Sequence, residues 1–481
     1  MSEYETNTLS GPNIASRSRV SRRGWISISI AFGGLLLACI SPVMNGLSQN
    51  AQIMLGILFM AAVLWTTAPI PIAVTGLLVM VLQPLLKVTS ANQVFASFGN
   101  QAVFFLIGTF ILAGALEKHG LHRRIALRFL KFFEASPRIL TFGIMVSSAS
   151  ISLIMPEHGV VALFLPIVAT ILIALRVIPK QSNFGKVSVL CIAYGCSIGS
   201  LGTPIGGARN PLTIGILSSE YGITVSFIEW MTYSIPIVLI SLPLVWIILQ
   251  LAFPIEISDI NIAKKEIERQ VREMGCMNTK EWTVISILAI TVFLWIFISS
   301  PEYYGLAVVA LLGSILLFFT GTISWKDVEK RVPWGIILLY GGAITLGTSM
   351  RNTGAARWLV DGMFHIVGNN PYAIILILII ITIAMTNIIS NTAAVAMLLP
   401  IGLAVAMEVP EISSLFAAML VALSGGLAFM LIIATPGNAI TYSSGYFSTK
   451  DLLKAGGLAN LVCIGVIFCV AIIYWKGLLN L

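Results

Sequence analysis

The sequence predicts an all-α polytopic membrane protein with about 11 transmembrane helices and two re-entrant hairpins, arranged as two inverted repeats. Composition is the first observation behind this. The 481 residues are 57% hydrophobic and only 10% charged, more apolar surface than a soluble domain can hide. The second is the distribution of that surface in long unbroken segments. The third is a repeat. Pro156 to Ile167 reads PEHGVVALFLPI, and Ser390 to Ile401, 234 positions later, reads SNTAAVAMLLPI; five of the twelve positions are identical and the differences concentrate in the first five. A shared apolar scaffold with divergent polar tips implies a duplicated membrane protein with its site between the halves.

In chain order, residues 1–23 are polar and basic, with Arg17, Arg19, Arg22 and Arg23 ahead of the first apolar segment. No small-residue cleavage pattern follows, so a cytoplasmic tail with an extra first transmembrane helix within 24–50 is expected. Repeat 1 then covers 51–253 and repeat 2 covers 281–481, joined by a charged cytoplasmic linker, 254–280. The apolar stretches 137–178 and 372–407 are too long for one crossing, since about 20 residues suffice. Each holds a repeated tip near its middle, 156–158 or 390–392, as expected of two short helices that enter, turn and return. The stretches 185–217 and 414–446 are interrupted by Gly/Pro/Asn clusters at 202–210 and 434–438, which read as crossing helices unwound at mid-depth. Such backbone survives there only inside protein or against a wet cavity. Gly108 and Gly120 match Gly342 and Gly354 at the same offset of 234, and amphipathic stretches 119–133 and 353–367 follow, expected to lie along the interface.

Charge tests the topology. With the tail inside, both hairpins re-entrant and the remaining segments crossing, the cytoplasmic regions hold 23 of the 28 Lys and Arg residues. This positive-inside bias puts the N-terminus in the cytoplasm and the C-terminus outside, in the cell (inner) membrane. An odd number of crossings per half forces the halves to be inverted. Orientation also accounts for the net charge of +8 without a nucleic-acid partner. Six scattered cysteines and four histidines form no disulfide or zinc spacing. Trp65, Trp230, Trp295 and Trp475 are expected as aromatic anchors at the membrane surface. No Ser/His/Asp set or carboxylate dyad suggests an enzyme.

Inverted repeats with hairpins and broken helices describe an alternating-access carrier, because unpaired N–H ends attract anions and unpaired carbonyl ends attract cations. SNTAAVAMLLPI at 390–401 and ATPGNAI at 434–440 resemble the divalent-anion/sodium symporter family, DASS, which includes sodium-coupled carboxylate and sulfate carriers. The resemblance implies a lipid-embedded homodimer with a scaffold domain and an elevator-type transport domain, and sodium as coupling ion with no organic cofactor. It implies a sodium site between each hairpin tip and the broken helix beside it, the second built from Ser390, Asn391, Thr392, Ala434 and Asn438. It also implies a small di-anionic substrate, most simply a dicarboxylate, between the two tips and touching Asn391 and Thr392; Thr435 and Pro436 from the same half, and Glu157, His158, Arg209 and Asn210 from the other, are further candidate contacts.

The first half departs from that pattern. Pro156, Glu157 and His158 stand where the family has Ser-Asn-Thr, and Gly207, Ala208, Arg209 and Asn210 where it has Thr-Pro-Pro-Asn. Isolated charges at mid-depth cost about 2.5–3.5 kcal/mol each, so Glu157 and Arg209 read as a pair. Three roles stay open for them: a structural salt bridge replacing sodium, a substrate contact by Arg209 oriented by Glu157, or a proton carrier at Glu157 or His158. Exchange or proton coupling and sulfate transport are alternatives within carriers. A channel, or the membrane subunit of an anion export pump, is the alternative outside them.

Overall fold

The computed structural model describes residues 21–298, 304–368 and 370–481; residues 1–20 of the expected tail lie outside the described residues. The first half consists of α1 (Arg22–Ile40), α2 (Gln49–Thr67), α3 (Ile72–Leu85), α4 (Ala91–Ala96), α5 (Gln101–Lys118), α6 (Leu121–Lys131), α7 (Pro137–Ser152), α8 (Glu157–Ala174), α9 (Asn183–Gly199), α10 (Arg209–Tyr221) and α11 (Phe227–Ala252). A linker helix follows, α12 (Asn261–Glu273). The second half consists of α13 (Thr279–Phe297), α14 (Leu306–Phe319), α15 (Trp325–Arg331), α16 (Trp334–Asn352), α17 (Ala355–Val367), α18 (Pro371–Ile388), α19 (Asn391–Glu408), α20 (Ser414–Ser424), α21 (Pro436–Ser443) and α22 (Thr449–Cys469). The described residues contain no strand.

The duplication extends to the signals that start each helix. Helices α3 and α14 are both 14 residues long. Ser90 and Ser324 both close capping boxes, with Gln93 and Asp327, at the starts of α4 and α15. Gly120 and Gly354 both cap the amphipathic α6 and α17 in the left-handed region, at φ 67° and 80°, where a side chain would be strained. Pro137 and Pro371 open α7 and α18 in the first helical turn, where a missing N–H costs nothing.

The halves interlock rather than sit side by side. α3 packs on α16 of the second half, and α5 packs on α14. A Cβ on Gly108 would stand 2.7 Å from Ala310 Cβ. At the equivalent crossing, a Cβ on Gly342 would fall on the backbone of Gly76. Small residues let these helices approach closely, and the matched pairs are those a two-fold axis relating the halves requires. The segment 254–280 is more than a connection. Its helix α12 packs on α6 and α8, and buried Arg124 on α6 donates to the carbonyls of Met274, Gly275 and Cys276 and to Glu281.

Among the described residues, nine helices are long and apolar enough to cross a membrane, or ten counting α15–α16, bent by 65°. Three of the nine, α8, α18 and α19, belong to the hairpins of the sequence reading. The broken helices drop out because each half is short, and α3 and α14 span only about 21 Å at 1.5 Å per residue. Leu239, Leu251, Phe297, Phe319 and Leu461 are exposed, as lipid-facing side chains are. The tryptophans differ from expectation. Trp230, Trp295 and Trp475 are fully buried and donate to the carbonyls of Leu201, Leu306 and Tyr233; Trp65 is also buried and bonds Ile72 O. The acceptors are Leu201 just past α9, Ile72 and Leu306 at the starts of α3 and α14, and Tyr233 within α11, so each indole N–H is satisfied inside the protein as a buried donor must be.

Candidate functional site

Each hairpin brings its tip to its own broken helix and to the other repeat's. α8 packs on α9 and on α21; α19 packs on α20 and on α10. The second partner in each case comes from the opposite half, so both tips sit at the seam between repeats. The first tip is Leu153–Pro156, followed by Glu157 as the first residue of α8. The second is Ile389–Ser390, with Ser390 Oγ accepting from Ala393 N to cap α19.

The two breaks share one construction. The first lies between Gly199 and Arg209, the second between Ser424 and Pro436. Asn210 Nδ2 donates to the carbonyls of Ser200 (2.9 Å) and Thr203 (2.7 Å). Asn438 Nδ2 donates to the carbonyls of Ala428 (2.9 Å) and Leu431 (2.9 Å), at the same relative positions. These amides pin the unwound segments, and in both residues the buried Oδ1 has no hydrogen-bond partner. Asn210 and Asn438, expected as ligands at the broken helices, stand in the first turns of α10 and α21 with their donors committed to the breaks. Residues 434–438 likewise mark the end of the second break. Thr435 caps α21 by accepting from Asn438 N, and Pro436 opens the helix.

Around each tip lies a cluster of oxygens. At the second, Thr386 Oγ1 is 2.8 Å from Asn391 Oδ1 and 2.7 Å from the Gly425 carbonyl. At the first, Ser197 Oγ donates to Glu157 Oε1 at 2.7 Å, and Ser152 Oγ donates to the Cys196 carbonyl at 2.9 Å. Thr386, Ser152 and Ser197 were missed from sequence. Ser152 and Thr386 are hydroxyls at the same offset of 234 as the tips, but Ser148 and Thr382 share that offset, so the repeat does not single them out.

The two mid-depth charges do not meet. Among the described residues no ion pair within 4.0 Å joins Glu157 to Arg209. Each takes a helix end instead. Glu157 stands in the first turn of α8 and beside the first turn of α21, where a Cβ on Gly437 would lie 3.1 Å from its Oε1 and 3.5 Å from Thr435 Oγ1. Buried Arg209 donates to the Ala422 carbonyl (3.2 Å) near the end of α20 and to Ser200 Oγ (2.8 Å) just past the end of α9. Its guanidinium fills space left open by Gly207 and Gly426. An anion at helix N-termini and a cation at C-termini are both favoured by the helix dipoles, so each charge has partners of its own, and the two attract through space without contact. The salt-bridge role is thereby replaced by dipole and hydrogen-bond pairing.

Thr435 and Pro436 stand with Glu157 at the first tip, while Asn391 and Thr392 stand at the second, next to the α20 end that carries Arg209. Ala434 and Asn438 belong to the end of the break leading into α21, and α21 packs on α8 and α9. His158 turns from the seam into a cavity of about 540 Å³ lined also by Glu117, His122, Arg123, Gln270 and Ile440. That cavity connects the first tip with the interfacial helix α6 and the linker helix α12, the face expected to be cytoplasmic. Burial pushes the His122 imidazole down from its ordinary range.

The family profile described as the sodium:sulfate symporter transmembrane region matches residues 23–481. The sodium-dependent dicarboxylate transporter SdcS of Staphylococcus saprophyticus is 32% identical over 450 residues, covering 89% of this chain and 86% of that protein. SdcS of Staphylococcus aureus is 31% identical over 449 residues, covering 88% and 85%. An uncharacterized transporter of Haemophilus influenzae is 32% identical over 437 residues, covering 88% and 91%. In fold, the chain is similar to the YdaH transporter of Alcanivorax borkumensis, with a TM-score of 0.54 at 12% identity over 80% of this chain and 87% of that one.

Proposed function

The chain belongs to the sodium:sulfate symporter family, and from that membership we propose that it carries a small dicarboxylate across the cell membrane with sodium as the coupling ion. The observation that carries this reading is the reciprocal seam, in which each tip faces a half-helix of the opposite repeat. A site shared in that way changes access when the repeats move against each other. Asn391 and Thr392, both half-buried at the start of α19, take a substrate carboxylate. The Asn391 Nδ2 group makes no hydrogen bond to protein among the described residues, so its donors are available to an anion. The cavity behind His158 is the inward route, with Arg123 at its rim drawing a di-anion. The hairpins and broken helices move together in an elevator-type stroke against a scaffold that pairs in a homodimer, with the N-terminus inside and the C-terminus outside.

The test is uptake of labelled succinate into proteoliposomes with and without an inward sodium gradient, with sulfate and citrate as competitors. Sodium-driven accumulation supports the reading. Uptake indifferent to sodium but dependent on internal counter-substrate would replace it with exchange, and a requirement for ATP would replace it with a pump.

A further inference from the structure

The two oxygen clusters correspond residue for residue, and this deepens the sodium coupling proposed above. Ser152 and Glu157 match Thr386 and Asn391 at an offset of 234; Ser197 matches Gly425 at 228, the offset that also relates Asn210 to Asn438. The second cluster is neutral, made of a hydroxyl, an amide oxygen and a carbonyl. It also has a cation beside it already. The Arg209 guanidinium lies against Gly426, the residue after Gly425, and donates to Ala422 O on the same helix. The negative end of α20 thus holds a counter-charge that cannot leave, and a second cation there meets like charge in a low-dielectric setting.

The first cluster is the reverse case. It carries a full carboxylate and two hydroxyls, Ser197 Oγ at 2.7 Å from Glu157 Oε1 and Ser152 Oγ, at the end of α7, bonded to the Cys196 carbonyl next to Ser197. No cationic side chain comes within 4.0 Å of Glu157 among the described residues. Glu157 is half-buried, and the next residue, His158, lines the cavity. Hard cations take oxygen ligands, carboxylates foremost. We propose that the exchangeable sodium ion binds at the first tip, with Glu157 as its charged ligand and Ser197 and Ser152 beside it, while Arg209 takes the place of a sodium ion at the second. The tip that keeps the family's Ser-Asn-Thr sequence then serves the substrate, and the tip that lost it serves the ion.

Sodium binding to the purified full-length protein tests this without transport. Thermal stabilisation is titrated with sodium chloride against choline chloride, in the absence of substrate, for the wild type, Glu157→Gln and Thr386→Val. The expected result is a wild-type titration with a Hill coefficient near one. Half-saturation rises at least about tenfold in Glu157→Gln, and by less than about threefold in Thr386→Val. Arg209→Gln makes the titration steeper, as a second ion gains a place. Loss of sodium affinity in Thr386→Val with Glu157→Gln unaffected overturns the proposal, as does wild-type stabilisation that follows pH but not sodium. Should Glu157→Gln fail to fold, Ser197→Ala decides: weaker sodium binding supports the assignment and unchanged binding overturns it. Binding at Glu157 without sodium-driven uptake would remove the transport reading and leave the ion site standing.

Discussion

Replacing Asn391 by Ala should raise the apparent KM for a dicarboxylate while leaving sodium half-saturation in place. Asn391 begins α19, and its Oδ1 accepts from Thr386 Oγ1 at 2.8 Å. That bond fixes the amide plane and leaves both Nδ2 hydrogens for an anion. A hydrogen bond to a charged group is worth about 1.5–3 kcal/mol, which converts to roughly a 10- to 150-fold increase in KM. The lost Thr386 bond costs about 1 kcal/mol of stability, small enough for the variant to fold. The assay is initial-rate uptake of labelled succinate across a concentration series, at saturating and at limiting sodium. A KM within about twofold of the wild type would refute the reasoning, because the uncommitted Asn391 amide at the second tip would then touch no substrate. A rise in sodium half-saturation equal to the rise in KM would refute it too, by placing the ion where the substrate is assigned.

Three further outcomes follow from the packing. Gly342→Ala should lower stability by about 1–3 kcal/mol, read as a drop in melting temperature, because the new Cβ falls on the Gly76 backbone; Gly457→Ala, with nothing within 4 Å, should not. Arg124→Ala should cost about 3–5 kcal/mol, since it strands Glu281, whose side chain is only 7% exposed, together with three linker carbonyls. The Lys118 ammonium and the Ser324 hydroxyl and N–H hold the Asp327 carboxyl below its ordinary range. A depressed carboxyl contributes stability that is present above its unfolded value, about pH 3.9, and lost as pH falls below it. Melting temperature should therefore fall below about pH 4 in the wild type, and Asp327→Asn should flatten part of that fall. An unchanged acid profile would count against the assignment.

Much of the architecture could be read from the chain because duplication leaves local marks. The offset of 234 that relates the tips also relates the capping serines, the left-handed glycines and the helix-opening prolines. What the chain could not show was which tip meets which half-helix. That is a long-range contact, and it moved Thr435 and Pro436 from the second tip to the first. The Glu157–Arg209 pair was inferred from two charges in apolar surroundings, a sound argument where side chains are the only counter-charges. Here helix ends supply them, and the same argument then permits two separate charges. Thr386 escaped notice for a plainer reason. Thr382, one turn earlier on α18, bonds its own helix at Leu378 O, and nothing in the sequence distinguishes that ordinary threonine from the one that reaches across to Gly425.

The central claim is that sodium moves with the dicarboxylate and that Glu157 is the residue through which it does so. Sodium-gradient-driven succinate uptake by wild-type and Glu157→Gln proteoliposomes, at matched reconstitution and saturating succinate, tests it most directly. The account predicts accumulation in the wild type that collapses when the gradient is dissipated, and a variant whose uptake requires at least about tenfold more sodium. Equal sodium dependence in the two proteins would contradict it.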